Sequence, residues 1–155
     1  MARVVLIVGS KSDAPAAKPA IDTLQRFDVD CQAHVCSAHR APERLAKLVK
    51  QAEAEGTQVF IAGAGMAAAL PGAVAGLTRR PVVGLPIASG ALSGVDALLA
   101  ISQMPPGIPV GTVAINGAAN AAWLALEILA LHDPRLDEQL ATYRREQSER
   151  VDQFE

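Results

Sequence analysis

Residues 4–9, VVLIVG, are five consecutive apolar residues closed by a glycine, and four of the five are β-branched. A strand that is apolar at every position is typical of a parallel sheet covered by helices on both faces. Residues 14–27 follow, with Lys18, Asp22 and Arg26 spaced four apart, which predicts a helix with one polar face. These residues therefore form a unit of strand, loop and helix.

The same alternation continues along the chain, with short joints that contain Gly or Pro. Such alternation predicts an α/β protein with a parallel sheet. We expect one domain over residues 1–155, a three-layer αβα sandwich with a five-stranded parallel sheet of flavodoxin or Rossmann type and an extra C-terminal helix. The further strands are expected at 31–35, 59–62, 82–85 and 112–115, and the further helices at 42–55, 66–77, 95–102, 118–131 and 134–154.

Two of these helices leave alternatives open. Pro71 and Gly72 interrupt the segment 66–77, so its first half is either helix or a loop with a short turn. The last helix carries an apolar set among many charges, formed by Leu136, Leu140 and Tyr143. An amphipathic helix of this kind either packs across a neighbouring subunit or caps its own domain.

Charged residues are nearly absent from the middle of the chain. Of 14 Lys and Arg and 16 Asp and Glu residues, the stretch 57–131 contains only Arg79, Arg80, Asp96 and Glu127. Residues 59–78 are long enough for a membrane span of about 20 residues, but Gly and Ala dominate them and Pro71 breaks them. We therefore predict no membrane segment. A chain of this size has difficulty covering so much apolar surface alone, so we predict an extensive interface within a homo-oligomer.

The composition also argues against several classes of protein. A net charge of −2 and five aromatic residues lack the basic face and stacking rings of a nucleic-acid-binding protein. Cys31 and Cys36 are too few for a disulfide framework, and no metal site is expected from their spacing. We interpret them as small apolar residues near a strand, and His34 and His132 as structural. No charged and then apolar signal peptide is recognisable, so the expected location is the cytoplasm.

The loop after the first strand is a candidate ligand site. Residues 9–13, GSKSD, offer a flexible backbone, two hydroxyls, an ammonium and a carboxylate just before a helix. Amides at a helix start suit a phosphate, and an aspartate can bind a ribose diol. The alternative is that Ser12 or Asp13 only caps the helix.

The loop after the second strand, residues 37–42, places His39 beside Arg40. Ligands collect at the carboxyl ends of parallel strands, where this loop lies. Histidine titrates near neutral pH and arginine is a rigid cation for an anionic ligand. We therefore interpret His39 as functional.

Three later loops consist mostly of small or stiff residues. Residues 63–72 allow close approach of backbone and could cradle an anion, although tight packing of helix on sheet is the alternative. They lack the position and downstream acid of the dinucleotide fingerprint. Residues 86–94 suit a mobile cover over a site, and the prolines of 103–109 suit a stiff wall. None of them offers a nucleophile paired with a base.

Taken together, these segments resemble the PurE family of purine biosynthesis over nearly the whole chain. The resemblance rests on GSKSD at 9–13, SAHRAP at 37–42, AGAG at 62–65, LPG at 70–72, ALSGVD at 91–96, QMP at 103–105 and GAAN at 117–120. Each motif alone is weak, but seven in order at matching spacing are highly specific.

The resemblance implies an enzyme that moves a carboxylate from the exocyclic N5 to C4 of the imidazole of a small-molecule ribonucleotide, without metal, ATP or organic cofactor. By the family pattern, Ser10, Asp13 and Arg40 bind the nucleotide, and His39 is the general acid and base. The remaining expected substrate contacts are Ser12, Ser37, Gly65 and Leu70. The family also implies an octamer with sites at contacts between subunits.

The chain departs from the family pattern at two places. Bacterial members usually carry Gly and His where this chain has Met66 and Ala69, and the joint at Asn116 and Gly117 is shorter. If the family histidine assists catalysis, its loss lowers activity or alters ligand contacts.

Two alternatives therefore remain beside the rearrangement. A related class carboxylates aminoimidazole ribonucleotide directly with CO2; Arg40 and the segments 70–72 and 103–105 argue against it, whereas Ala69 leaves it open. The other alternative is a nucleotide-binding module of the same fold without turnover. The presence of His39 argues against that module.

Overall fold

A computed structural model describes residues 3–151. They form a five-stranded sheet of order β2-β1-β3-β4-β5 in which every neighbouring pair is parallel. The strands are β1 (Val4–Val8), β2 (Cys31–Val35), β3 (Val59–Gly65), β4 (Val82–Ile87) and β5 (Gly111–Thr112). The helices are α1 (Ala14–Arg26), α2 (Pro42–Ala54), α3 (Ala69–Ala75), α4 (Val95–Ser102), α5 (Ala118–Ala130) and α6 (Pro134–Val151), with a single 3-10 turn at Lys11–Asp13.

Helices cover both faces of the sheet, which confirms the three-layer prediction. Alternate residues of the central strands point to opposite faces, as in any strand. Leu6 and Ile61 pack beneath α1, α5 and α6, whereas Ile7 and Phe60 pack beneath α2, α3 and α4. All five residues of β1 are buried, which explains why its sequence shows no polar alternation.

The C-terminal helix caps its own chain. Leu136 and Leu140 enter the core that α1 and α5 share. Tyr143 lies against Trp123 with ring centroids 4.3 Å apart, and the Arg26 guanidinium lies 4.8 Å from the centre of the Tyr143 ring. Of the two alternatives for this helix, its apolar face is therefore used within the protomer. The predicted residues 152–154 lie outside the described part of the chain.

The predicted helix at 66–77 begins later, at Ala69, because the preceding residues are not helical. Met66 and Ala68 have φ values of 54° and 42°, in the left-handed region, and β3 continues to Gly65 instead of ending at Ala62. Pro71 falls in the first turn of the shortened helix, where a missing N–H costs least.

The last strand is also displaced from its prediction at 112–115. It spans only Gly111–Thr112; the Val113 N–H still donates to the Gly84 carbonyl at 3.2 Å, and the chain then turns at Asn116, which adopts a left-handed φ of 58° and donates its N–H to the Pro86 carbonyl at 2.8 Å. That turn ends the regular ladder beside β4, which itself extends to Ile87. Among residues 3–151, no helix combines the length and apolar character needed to cross a bilayer.

Candidate functional site

The strand order places a crevice between β1 and β3. The chain leaves β1 toward β2 on one side and reaches β3 on the other, and ligands of open parallel sheets bind outside the carboxyl ends of strands at such a switch point. A cleft of about 330 Å³ lies there. Its lining is Gly9, Asp13, Ser37, Ala38, His39 and residues 64–70. A larger groove near Arg80 and Ile108 lies at the amino-terminal edge of the sheet, away from these groups.

Asp13 is held in the cleft by its neighbours, not by a helix-capping bond. The Ser10 hydroxyl donates to Asp13 Oδ2 at 2.9 Å, and the Ser10 and Ser12 hydroxyl oxygens are 2.6 Å apart. Asp13 is the N-cap residue of α1, yet its side chain makes no capping hydrogen bond. The capping alternative is therefore wrong for Asp13, whose carboxylate remains available to a ligand.

Ser37 organises the loop after β2. Its hydroxyl accepts hydrogen bonds from the backbone N–H and the Nε of Arg40, at 3.2 and 3.4 Å. Arg40 is exposed at the rim of the loop and does not line the cleft. His39 does line it, and its imidazole makes no hydrogen bond within the described chain. Both ring nitrogens of His39 are therefore free to meet a ligand.

The wall opposite His39 comes from the end of β3 and the start of α3. The Ala68 N–H donates to the Gly65 carbonyl at 3.0 Å, which closes a tight turn through Met66. A Cβ added at Gly65 would lie 2.9 Å from Ser89 Cβ and 3.1 Å from the Ile87 carbonyl oxygen, so this position admits only glycine without a shift of the backbone. Leu70 is 2% exposed and contributes to the wall mainly by packing beneath it.

The loops at residues 88–94 and 103–109 differ in their position relative to the cleft. Residues 88–94 begin beside the cleft, where the Ala88 N–H donates to Asn116 Oδ1 at 2.9 Å. Residues 103–109 do not line the cleft, so the expectation of a wall there is wrong within this protomer. The physical reason is that α4 carries the chain back from the carboxyl edge of the sheet to its amino edge.

The structure thus brings five of the eight predicted site residues around one cleft: Asp13, Ser37, His39, Gly65 and Leu70. Ser10 is hydrogen-bonded to Asp13 and to Ser12 outside the cleft lining, and Arg40 is exposed at the rim. Sequence reasoning missed Asn116, which anchors the loop 88–94. Its only signal was an Asn-Gly pair, which marks a turn but does not say what the amide binds.

The residues interpreted as structural lie outside the cleft. His34 is within β2 and His132 follows α5, and neither lines the cleft. Cys36 is buried, and burial raises the pKa of the Cys31 thiol to about 11, so both behave as small apolar groups. Within residues 3–151, no three His, Cys, Asp or Glu side chains are grouped to hold a metal ion.

A parallel sheet of order 2-1-3-4-5 with a cleft at its switch point defines a flavodoxin-like α/β protein, in which this cleft is the candidate ligand site. The sequence profile of the family described as AIR carboxylase matches residues 3–150, and the chain belongs to that family.

Relatives and solved structures agree with this assignment. The chain is 56% identical to a protein of Pyrococcus abyssi named N5-carboxyaminoimidazole ribonucleotide mutase, over 93% of this chain and 83% of that protein. It is 50% identical to the Escherichia coli K12 protein of the same name, over 97% and 90% of the two chains. The crystal structure of Treponema denticola PurE superposes with a TM-score of 0.88 at 28% identity, covering 96% of this chain and 92% of that one.

Proposed function

We propose that this protein is an N5-carboxyaminoimidazole ribonucleotide mutase, an isomerase that forms 4-carboxy-5-aminoimidazole ribonucleotide in purine biosynthesis. The observation that carries the proposal is the cleft at the switch point, where an unbonded His39 faces a loop suited to a phosphate. The names of relatives at 50 to 56% identity support the same activity.

The chemistry needs one group that first gives and then takes a proton. His39 in its protonated form protonates N5, the bond from N5 to the carboxylate carbon breaks, and CO2 and an aminoimidazole result. C4 then attacks CO2 and forms the new carbon–carbon bond. Neutral His39 finally removes the C4 proton, which restores the aromatic ring and returns His39 to its starting state. A histidine suits both steps because its usual pKa is near neutrality.

The substrate contacts follow from the same loops. The amides of residues 10–12 and the Arg40 guanidinium suit the 5′-phosphate, since those of Gly9 and Asp13 donate to the Gly63 and Ser10 carbonyls. The Asp13 carboxylate suits the ribose diol. Ser10 donates to Asp13 and shares a hydrogen bond with Ser12, and Ser37 accepts hydrogen bonds from Arg40. Gly65 lines the cleft with its backbone, its missing side chain leaves room for Ser89, and Leu70 supports the wall from beneath.

Two substrate mixtures test the proposal against its alternatives. Purified protein should convert N5-carboxyaminoimidazole ribonucleotide faster than it consumes aminoimidazole ribonucleotide with bicarbonate. The first rate is measured as the loss of N5-carboxyaminoimidazole ribonucleotide. The converse preference would establish direct carboxylation, the alternative that Ala69 raises. Turnover of neither mixture with retained ligand binding would instead establish a binding module.

Replacement of Arg40 by Met should raise KM more than it lowers kcat. A hydrogen bond to a charged group is worth about 1.5–3 kcal/mol, so KM should rise about 10- to 150-fold. The KM of Arg40→Lys should lie between those of the unchanged protein and Arg40→Met, because an ammonium keeps the charge but not the planar fork of the guanidinium. Lys50→Met, an exposed cation on α2 outside the cleft, is the matched control. An unchanged KM in Arg40→Met would remove Arg40 from the phosphate site.

We also propose that the protein acts as a homo-oligomer, an octamer by its family resemblance, in the cytoplasm. Support comes from the charge-poor stretch 57–131 and from exposed apolar side chains around α4, namely Leu92, Val95 and Leu99. The occupant of this surface is a second copy of the chain. Light scattering at micromolar concentration should give a mass several times 16.1 kDa, and Leu99→Glu should lower it. A stable monomer in the unchanged protein would refute the interface.

A further inference from the structure

A second concavity, the β2–α2 groove, lies at the edge of the sheet between β2 and α2 and shares no lining residue with the cleft. Its volume of about 340 Å³ is at the lower end of the range for small-molecule sites. Strand β2 is an edge strand beside β1, whereas α4 packs on β4 and β5 in the other half of the sheet. The proposed contact with a second copy through α4 therefore does not cover this groove.

One end of the β2–α2 groove is basic. Because α2 returns antiparallel to β2, His34 near the end of the strand is level with Arg44 in the first turn of the helix. Lys47 is three residues further on and lies on the same helix face as Arg44. Within residues 3–151 these two cations form no ion pair, and the His34 imidazole makes no hydrogen bond. Neighbouring cations on one helix face repel each other, and a bound anion would remove that repulsion.

The acidic residues near the groove do not neutralise its basic end. Of the described residues, only Glu55 brings a carboxylate to the lining, eight residues beyond Lys47 or about 12 Å along the helix axis. Its Oε1 already accepts a hydrogen bond from Gln51 Nε2 at 2.8 Å. Glu43 does not line the groove, and Glu53 is paired with an arginine outside it. The basic end therefore lacks a counterion.

Apolar and amide groups lie between the basic end and Glu55. Leu48 is half-buried and Ala52 is 7% exposed, and together they provide an apolar floor. Gln32 lines the groove from β2 and offers an amide above this floor. An apolar floor with amides beside it suits the body of an organic ligand better than a bare inorganic ion.

We propose that the β2–α2 groove is a second ligand site, which binds a small phosphate monoester of about nucleotide size. The phosphate lies between His34, Arg44 and Lys47, and the body of the ligand lies over Leu48 and Ala52. A phosphate dianion offers three acceptor oxygens, and a guanidinium can bind two of them with parallel hydrogen bonds. The proposal gives His34 a ligand contact in place of the structural role that its position in a strand suggests.

Isothermal titration with adenosine 5′-monophosphate (AMP) tests the site. AMP should bind the unchanged protein with a Kd of about 1 mM or tighter. In Arg44→Met/Lys47→Met that Kd should rise about tenfold or more, because two charge-assisted contacts are lost. Lys50→Met/Arg135→Met removes two exposed cations outside the groove, and its Kd should stay within about twofold of the unchanged protein. The same binding should persist in Arg40→Met, which changes only the rim of the cleft.

Adenosine and inorganic phosphate separate the two parts of the ligand. Adenosine should bind about tenfold more weakly than AMP, because it lacks the charge that the basic end recognises. Inorganic phosphate should also bind more weakly than AMP, because it covers no apolar floor. Arg44 and Lys47 are exposed and methionine keeps most of their aliphatic stems, so the unfolding temperature of Arg44→Met/Lys47→Met should equal that of the unchanged protein.

Equal AMP affinity in Arg44→Met/Lys47→Met and in Lys50→Met/Arg135→Met would overturn the proposal, as would absence of AMP binding to the unchanged protein. Adenosine that binds as tightly as AMP would exclude recognition of the phosphate. Inorganic phosphate that binds as tightly as AMP would exclude a contact with the body of the ligand. None of these titrations requires turnover, so a failure of the proposed mutase activity is distinguishable from a failure of this site.

Discussion

Replacement of His39 by Asn should lower kcat by about 10²- to 10⁴-fold, the usual contribution of a general acid and base. Asparagine keeps a hydrogen-bonding side chain of similar shape but neither gives nor takes a proton near neutral pH. Because the proposed phosphate and ribose contacts belong to other residues, the Kd of the ribonucleotide should change by less than about tenfold, or ~1.4 kcal/mol. Steady-state kinetics and isothermal titration with the product measure the two quantities.

His132→Asn is the control for this experiment. His132 is exposed after α5 and does not line the cleft, so its replacement should leave kcat within about twofold, as for surface changes in general. Normal turnover in His39→Asn would exclude His39 as the proton carrier. A loss confined to binding would make it a substrate contact instead.

Replacement of Phe60 by Ala should lower the free energy of unfolding by about 3–5 kcal/mol. Phe60 lies in β3 opposite Val5 and Val82, and its side chain is 0% exposed. It fills the core beneath α2, α3 and α4, so its loss leaves a cavity under the helix that follows the cleft wall. Urea denaturation at a fixed protein concentration measures the change, since association also contributes to stability.

Leu131→Ala is the comparison for Phe60→Ala. Leu131 is 77% exposed, and its truncation should cost less than about 0.5 kcal/mol. A cost below about 1 kcal/mol for Phe60→Ala would mean that the core collapses around the cavity, or that the face beneath α3 is not packed as described.

The layers of the fold could be predicted from the sequence because a strand buried on both faces is apolar at consecutive positions. Residues 4–8 are all apolar and all buried, and residues 14–26 show the polar spacing of a helix packed on one side. Those patterns depend only on neighbours along the chain. The turn at Met66 and Ala68 has no such pattern, because both side chains are compatible with a helix. The close approach of Gly65 to the end of β4 is what excludes a helix there.

The candidate site also has parts that could be predicted from the sequence and parts that could not. His39, Asp13 and the glycine-rich wall could be predicted because parallel strands bring their carboxyl ends to one edge, whatever the packing details. The placement of Arg40 at the rim could not, because it depends on one hydrogen-bonded turn around Ser37. The absence of residues 103–109 from the cleft follows from the parallel sheet that the sequence predicts, because α4 must return the chain to the amino edge before β5 begins.

The sequence by itself therefore determined the alternation of strands and helices, the edge of the sheet at which the candidate site lies, and the family to which the chain is similar. Only the tertiary structure decided which loops meet: the loop after β2 with residues 64–70 around the cleft, and Ala88 with Asn116. The physical reason is the separation along the chain over which each interaction acts. Periodicity and turn chemistry act over a few residues, whereas contacts between loops follow from the strand order and from steric exclusion between segments distant in the chain.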